Sequence, residues 1–464
     1  MISLVLATWA LFGPPAAASV AVAAAGAAEP LTFDIPLSSA TVPGAVYIMP
    51  QLEKPQVKLK WEDCVKIALK NEPSLLAAWK TQQEQLASYY DSYNGFLPNV
   101  QLSDTYNKFQ GLAGVSYSQG FVANFPYEPQ AAAGMNIFSY SALANIWSAR
   151  ALWLSSIAGR RGAAQALRYN LKTAFSNLLY SQASINVNWM IQDLWHKNYD
   201  MIYLRYQSGQ ESKGNMLVMR GFFLNALEGY YQSLRNLRRN QKALAQYLGW
   251  GDFRPLEINA SFPAAYQIRS MPDDAALAKI LENRPDVATQ KAAIKSAEAS
   301  LSQARSLLIP EAKVTANYSQ LGAELWHQDA QSNYSVVGMV SIPLLSGGLT
   351  NAWYQIKSAM KARDAAVQQL RTVEYAARQD LENTWSTFAT AQDQQINQLN
   401  LLKAWRQRNA EDDVLYQAGL MVFDIWEPIV AQRLSQEIIY LQAENTALQQ
   451  EANWERALGK ELGQ

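Results

Sequence analysis

The segment Lys313–Ser319, with the sequence KVTANYS, alternates strictly between polar and apolar residues. Val314, Ala316 and Tyr318 share one face of an extended chain, because successive side chains of a strand point to opposite sides. A second alternating segment follows at Tyr334–Ile342. A β-strand that crosses a membrane takes about 9–11 residues and is apolar on its lipid face. We therefore predict a hairpin of two such strands here.

A similar but weaker hairpin is predicted in the first half of the chain, from Val100–Phe109 and Met135–Ser141. Polar and aromatic loops, at about 112–130 and 322–331, join the strands. A helix precedes each hairpin, at Trp61–Phe96 and Asp274–Leu308, and a proline stops it.

Long helices follow the hairpins, at 143–207 and 350–416. In the second of them, apolar residues recur at spacings of three and four, the pattern of a coiled coil. A turn at Gly209 or Gly419 then sends the chain back through a second helix, at 211–248 and 424–458.

This plan is written twice, because short motifs recur in the same order about 210 residues further along. The recurring pairs include Asn71–Pro73 with Asn283–Pro285, Leu97–Pro98 with Ile309–Pro310, and Tyr206–Gly209 with Tyr416–Gly419. A fixed period of this kind is the signature of an internal repeat. We divide the chain into a signal peptide (1–28), an extended segment (29–56), a first repeat (57–249, hairpin 99–141), a linker (250–272) and a second repeat (273–460, hairpin 312–345).

The first 28 residues have the composition of an export signal. Met1–Phe12 is apolar, and Ala25–Ala27 offers the small residues that a signal peptidase needs. An uncleaved membrane anchor is the alternative, and Pro14 and Pro15 argue against it. No cysteine precedes Cys64, so we expect no lipid anchor on an N-terminal cysteine.

Composition argues against several classes of protein. Lys+Arg and Asp+Glu both number 39, without the basic excess of a general nucleic-acid binder. Charged residues make up 17 % of the chain, against about a quarter in a typical domain. The sequence has two histidines, one cysteine and no nucleotide-binding loop, so we predict no catalytic residues, no metal site, no cofactor and no enzymatic activity.

Four strands cannot close a barrel, and open strand edges in lipid leave backbone groups unpaired at a cost of several kcal/mol each. Several chains must therefore share one barrel, although the strand pattern does not give their number.

Several motifs together resemble the TolC-type outer-membrane efflux protein family. They are Asn283–Val287, Ala304-Arg305 with Ile309-Pro310, Ile342–Gly348, the two Tyr-x-x-Gly turns and Ala457–Gly459. The resemblance implies a mainly α protein with a small β portion. Long coiled-coil helices would form a periplasmic α-barrel, and four strands per chain would enter a trimeric twelve-stranded β-barrel in the bacterial outer membrane.

The family also implies a function and partners. The homotrimer would be the passive exit duct of a tripartite efflux or type I secretion system. A periplasmic adaptor would connect it to an inner-membrane pump or an ATP-driven exporter. The alternative is a periplasmic coiled-coil scaffold or adaptor that never enters the membrane.

In the family, the Tyr-x-x-Gly turns lie at the periplasmic tip, where carboxylates past the second turn narrow the pore. The resemblance makes Asp424 and Glu427 gate candidates, with Asp412 and Asp413 nearby, since threefold symmetry would turn each into a ring. Asp424 as a simple helix cap is the alternative. The tip and adaptor contact would include Gly209, Gly419, Tyr206, Tyr416 and Lys213. Some relatives close the tip with an arginine–aspartate pair, but here Met421 and Gly214 or Asn215 stand at those positions.

Aromatic residues cluster where the strands give way to the long helices. They are Tyr140, Trp147, Trp353 and Tyr354. Such residues collect at membrane interfaces because they are apolar with one polar edge. Packing at the start of a helix is the alternative explanation.

Overall fold

The computed structural model describes residues 57–106, 127–252, 254–264, 271, 273–321, 331–343 and 350–463. The predicted signal peptide, the segment 29–56 and most of both predicted strand loops lie outside these residues.

The described elements run in one order. They are β1 (Val57–Leu59), α1 (Trp61–Asn71), α2 (Pro73–Asp91), a 3-10 helix (Ser92–Phe96), β2 (Asn99–Tyr106), β3 (Tyr127–Phe138), α3 (Tyr140–Gln207), α4 (Lys213–Tyr247), β4 (Leu256–Ile258), α5 (Asp274–Asn283), α6 (Pro285–Ser306), β5 (Glu311–Leu321), β6 (Gln331–Ser341), α7 (Asn351–Gln417) and α8 (Phe423–Ala457). The mainly helical fold with a small β portion is therefore confirmed.

The predicted first helix of each half is in fact two helices. Glu72 separates α1 from α2 with an extended backbone (φ −72°, ψ 120°), and its carboxylate accepts a hydrogen bond from Leu75 N at 2.8 Å. Arg284 separates α5 from α6 with a similar extended backbone (φ −62°, ψ 137°). Each of these residues precedes a proline, whose ring disfavours the helical conformation of the residue before it.

The prediction for β3 was wrong in position. The strand begins at Tyr127, and the residues after Phe138 belong to the start of α3. Ser139 caps that helix, because its hydroxyl oxygen accepts a hydrogen bond from Ala142 N at 3.2 Å. The loop placed at about 112–130 therefore ends before residue 127.

The four long strands form one antiparallel sheet in the order β2-β3-β5-β6. Val100, Ala133, Ala316 and Val336 pair in one row across it. The next row, on the opposite face, holds Gln101, Ala132, Asn317 and Ser335. The strands are thus in a register that gathers the apolar residues on one side.

The long helices pack as a layer. α3 contacts α2 and α6 towards the strands, and α4 and α8 towards the turns, while α7 contacts α6 and α8. At 1.5 Å per residue, α3 and α7 each extend about 100 Å. Within the described residues, no helix is both long and apolar enough to cross a membrane.

A small cluster of elements packs beside the layer. β1 pairs in parallel with β4, which lies inside the segment predicted as a linker. Their side chains join Cys64, Leu171 and Leu244 in a buried core. Gly249 ends α4 with a positive φ of 70°, and a Cβ there would overlap the carbonyl oxygen of Asn71. Glycine is required at this position because the backbones approach so closely.

Candidate functional site at the two helical turns

Two glycine turns join the long helices to the returning helices. Gly209 and Gly419 have φ of 76° and 73°, in the left-handed region. Beside them, Gln210 N donates to Arg205 O at 2.8 Å, and Leu420 N donates to Leu415 O at 2.9 Å. These bonds satisfy carbonyls left over at the helix ends. Both turns lie where the sequence predicted them.

Tyr416, just before the second turn, is the centre of a buried cluster. Its hydroxyl donates to Glu211 Oε1 at 2.8 Å, across to the first turn. Its ring stacks on Trp426, with centroids 4.3 Å apart and an angle of 8° between the planes. The guanidinium of Arg205 lies 4.5 Å from the ring centroid, a cation–π distance. Burial, and then the bond to Glu211, raise the pKa of the Tyr416 hydroxyl.

The cluster continues into two carboxylates. Trp426 Nε1 donates to Asp413 Oδ1 at 2.7 Å, and Asn409 Nδ2 donates to Asp413 Oδ2 at 2.6 Å. Asn215 Nδ2 donates to the second oxygen of Glu211 at 3.0 Å. One polar network therefore connects the α3–α4 turn with the α7–α8 turn.

The four predicted gate carboxylates fall in different surroundings. Asp413 is engaged by Trp426 and Asn409, and Asp412 Oδ2 lies 3.5 Å from Arg408 Nε. Asp424 is exposed in the first turn of α8, and Glu427 is half-buried one turn further along.

Burial, and then the charge of Asp424, raise the pKa of the Glu427 carboxyl. The N-cap of α8 is Val422 and the helix begins at Phe423, so Asp424 is its second residue. The negative charge of Asp424 complements the helix dipole at this end. Asp424 is therefore not the helix cap that was considered as the alternative to a gate residue.

Lys213, the first residue of α4, is exposed, and in the described part of the chain it forms no ion pair within 4 Å. The cation that crosses between the turns is Arg205, whose Nη2 approaches Tyr416 O at 3.3 Å. Sequence reasoning missed Arg205, Glu211 and Trp426. Their proximity to the Tyr-x-x-Gly turns was the available signal.

The two turns carry different side chains despite their shared motif. Tyr206 and Met421 are partly buried against the same hydrophobic cluster as Tyr416. The acidic partner at the first turn is Glu211, and Asn215, at the position considered for the aspartate of some relatives, binds to it.

The aromatic residues near the strands are mostly exposed. Tyr140 and Trp147 meet edge to face, with ring centroids 5.8 Å apart. Trp147, Trp353 and Tyr354 nevertheless present large fractions of their surface. Packing within one chain therefore does not account for the aromatic side chains at these positions. Their location at a membrane interface stays a prediction.

Comparison with known proteins gives a consistent result. Residues 276–460 match the family model described as outer membrane efflux protein. The resemblance to the TolC-type outer-membrane efflux protein family is confirmed. The family's proteins are channels and not enzymes, which agrees with the prediction of no catalytic activity.

One similar curated protein is the probable efflux pump outer membrane protein TtgC of Pseudomonas putida, 22 % identical over 301 residues. The match covers 61 % of this chain and 60 % of that protein, so the chain spans less than two thirds of its length.

Solved structures show the same fold. CusC superposes with a TM-score of 0.74 at 14 % identity, covering 89 % of this chain and 99 % of that one. The open-state outer membrane channel MtrE of Neisseria gonorrhoeae has a TM-score of 0.71 at 17 % identity, covering 89 % of this chain and 98 % of that one.

Proposed function

We propose that this chain forms an exit duct in the bacterial outer membrane that extends into the periplasm. It assembles as a homotrimer and passively conducts substrates outward. A periplasmic adaptor links it to an inner-membrane pump or an ATP-driven exporter. The segment at 1–28 exports the chain as a signal peptide.

The observation that carries the proposal is the exposed apolar face of the four-stranded sheet. Leu102, Tyr334 and Val336 are 79 %, 82 % and 73 % exposed, although they lie in the register of one continuous face. Soluble monomers rarely expose a contiguous apolar patch of this kind. Lipid on this side removes the unfavourable contact with water.

The sheet also has two open edges, at β2 and β6. An edge strand carries unpaired backbone groups that favour pairing with another chain. Pairing β6 of one copy with β2 of the next satisfies both edges, and repeating this contact closes a ring. The same ring brings α7 of one chain beside α2 and α4 of its neighbour. Within the described part of one chain, α7 packs mainly on α6 and α8.

The opposite face of the sheet suits a water-filled passage. A groove on this side is lined by polar side chains, including Asn99, Gln101, Lys313, Thr315 and Asn317. Passive conduction needs such a surface and no energy source of its own.

The gate is proposed at the turns. Asp424, which is exposed, and Glu427, which is half-buried, form the narrowing rings, and Asp412 and Asp413 support them from α7. The adaptor meets the tip at Gly209, Gly419, Tyr206 and Lys213. Tyr416 was also predicted as an adaptor contact, but its side chain is buried, so it supports the turn from inside. The Tyr416–Glu211 bond holds the two turns together in place of an arginine–aspartate pair.

Flotation of the purified protein with lipid vesicles tests the membrane placement. Val336→Arg puts a charge on the apolar face, which costs about 2–4 kcal/mol in the middle of a bilayer, and we expect it to reduce insertion strongly. Ser335→Arg is the matched control on the opposite face and should insert normally. A wild-type protein that stays in the aqueous fraction would favour the periplasmic scaffold instead.

A further inference from the structure

A groove between α3 and α6 lies just below the strands and is not used by the proposed conduction. Its volume is about 370 Å³, and its lining includes Trp147, Arg150, Lys295, Glu298 and Ser302. Trp147 and Ser302 each lie within about three helical turns, or roughly 15 Å, of the strand on their own side. If the strands cross the bilayer, the groove lies at the level of the lipid headgroups or just beneath it.

The groove gathers two cations from different helices. Arg150 on α3 and Lys295 on α6 are both exposed. Across the described residues, neither lies within 4 Å of a carboxylate. Glu298 is the one acidic residue among the groove's lining residues, so the lining is net positive. Long basic side chains of this kind place their charge towards the headgroups while their stems stay on the protein.

The direction of the groove follows from Arg161. Trp147, Leu154 and Arg161 are spaced by seven residues and so share one face of α3. Arg161 on that face donates to Glu461 at 2.6 Å and to Asn283 O at 3.1 Å. This side of α3 therefore carries the end of α5 and the segment after α8. Three copies of those segments inside a ring would fill the passage, so this face points outward.

Neighbouring copies in the proposed trimer leave the groove open. α3 has α2 and α6 on its two sides, and α6 has α3 and α7, so the groove lies in the middle of one chain's helix layer. Ring contacts would be made at the edges of that layer, on α2, α4 and α7.

We propose that this groove binds the phosphate of an anionic phospholipid in the periplasmic leaflet. Arg150 and Lys295 attract the phosphate, and Trp147 lies against the headgroup region, where indole rings are favoured. The bound lipid fixes the height of the protein in the bilayer. This inference rests on the outer-membrane placement proposed above.

Native mass spectrometry of the full-length protein in neutral detergent tests the site. Dioleoylphosphatidylglycerol is compared with dioleoylphosphatidylcholine, and we expect about a tenfold preference for the anionic lipid, since each basic residue near a membrane surface contributes a few-fold. The Arg150→Gln/Lys295→Gln variant should lose most of this preference. Glu298→Gln removes the opposing charge and should increase it.

Lys357→Gln/Lys361→Gln is the control, because it removes two exposed cations near the strand end of α7, away from the groove. It should keep the preference. An unchanged preference in Arg150→Gln/Lys295→Gln would overturn the inference, as would displacement of the lipid by equimolar inorganic phosphate. A protein that floats with vesicles but shows no preference contradicts this inference alone. A protein that does not float contradicts the proposed function as well.

Discussion

The Tyr416 hydroxyl donates to Glu211 Oε1 at 2.8 Å, and this bond joins two helical turns that are far apart in the sequence. Tyr416 is almost fully buried, so the bond is shielded from water. A hydrogen bond to a charged partner contributes about 1.5–3 kcal/mol. The bond therefore has the strength to hold the tip in one conformation.

Tyr416→Phe removes this bond and keeps the ring stacked on Trp426. We expect the open state of the tip to become at least about tenfold more populated, measured as increased conductance in planar bilayers. Glu211→Gln should act in the same direction, and the double variant should add little to either. Tyr206→Phe is the control at the other turn. Equal conductance of Tyr416→Phe and wild type would exclude the bond as a latch.

The carboxylates of Asp424 and Glu427 should make the entrance cation-selective. The pKa of Glu427 is raised above its ordinary 4.5 by burial and then by the charge of Asp424, so as the pH falls this carboxylate loses its charge at a higher pH than an ordinary glutamate. Reversal potentials across a salt gradient should show selectivity at pH 7 that declines before pH 4.5 is reached. Glu427→Gln should remove this step, and Asp424→Asn/Glu427→Gln should abolish most of the selectivity.

Glu62→Gln, at the first turn of α1, is a suitable control for this measurement. If the double variant keeps the selectivity of the wild type, the acidic rings do not form the entrance.

The variants Gly249→Ala and Gly419→Ala distinguish two reasons why a turn needs glycine: a positive φ and the close approach of another backbone. Both residues have a positive φ, which costs a non-glycine residue about 1 kcal/mol. A Cβ at Gly419 meets open space, whereas one at Gly249 overlaps the Asn71 carbonyl oxygen. We expect a small decrease in melting temperature for Gly419→Ala and a decrease at least twice as large for Gly249→Ala, measured by circular dichroism. Equal decreases would mean that the two backbones separate at little cost.

Glu455 on α8 is held by three cations. Its carboxylate lies 3.2 Å from Arg168 Nε, 3.2 Å from Lys172 Nζ and 3.3 Å from Lys460 Nζ. Although burial alone would raise it, the bond to Arg168 and the charges of Lys172 and Lys460 lower the pKa of Glu455 to about 2. The ion pairs of the Glu455 carboxylate with these three cations stabilise the fold above pH 4.5. This contribution is lost as the pH falls through about 2.

Glu455→Gln should therefore destabilise the protein by about 3 kcal/mol at pH 7, because it removes the carboxylate charge that lies 3.2 Å from the buried Arg168 Nε. The difference from wild type should shrink as the pH falls towards 2. Glu451→Gln, which removes a more exposed partner of Lys172, should have a much smaller effect. A pH-independent difference would show that lost packing, and not charge, causes the destabilisation.

Much of this fold follows from local sequence patterns. The long helices begin and end within a few residues of their predicted limits, because the segments lack proline and glycine turns end them. β5 and β6 follow from strict alternation. β3 was misplaced because its sequence, rich in alanine, alternates weakly and contains Pro129.

The site was predictable only in part. Glycine and tyrosine marked the turns, but the partners of Tyr416 and Asp413 come from other helices. Glu211 is separated from Tyr416 by 205 residues, and no local pattern brings those two together. The packing of the helices determines which carboxylates near the turns form hydrogen bonds, as Asp413 does, and which are exposed, as Asp424 is.

Single-channel recording in planar bilayers tests the central claim most directly. Purified wild-type protein should insert and produce discrete, stepwise ion conductance, and Val336→Arg should insert far less often than Ser335→Arg. Protein that floats with vesicles yet produces no conductance steps would contradict the proposal that this chain forms a duct.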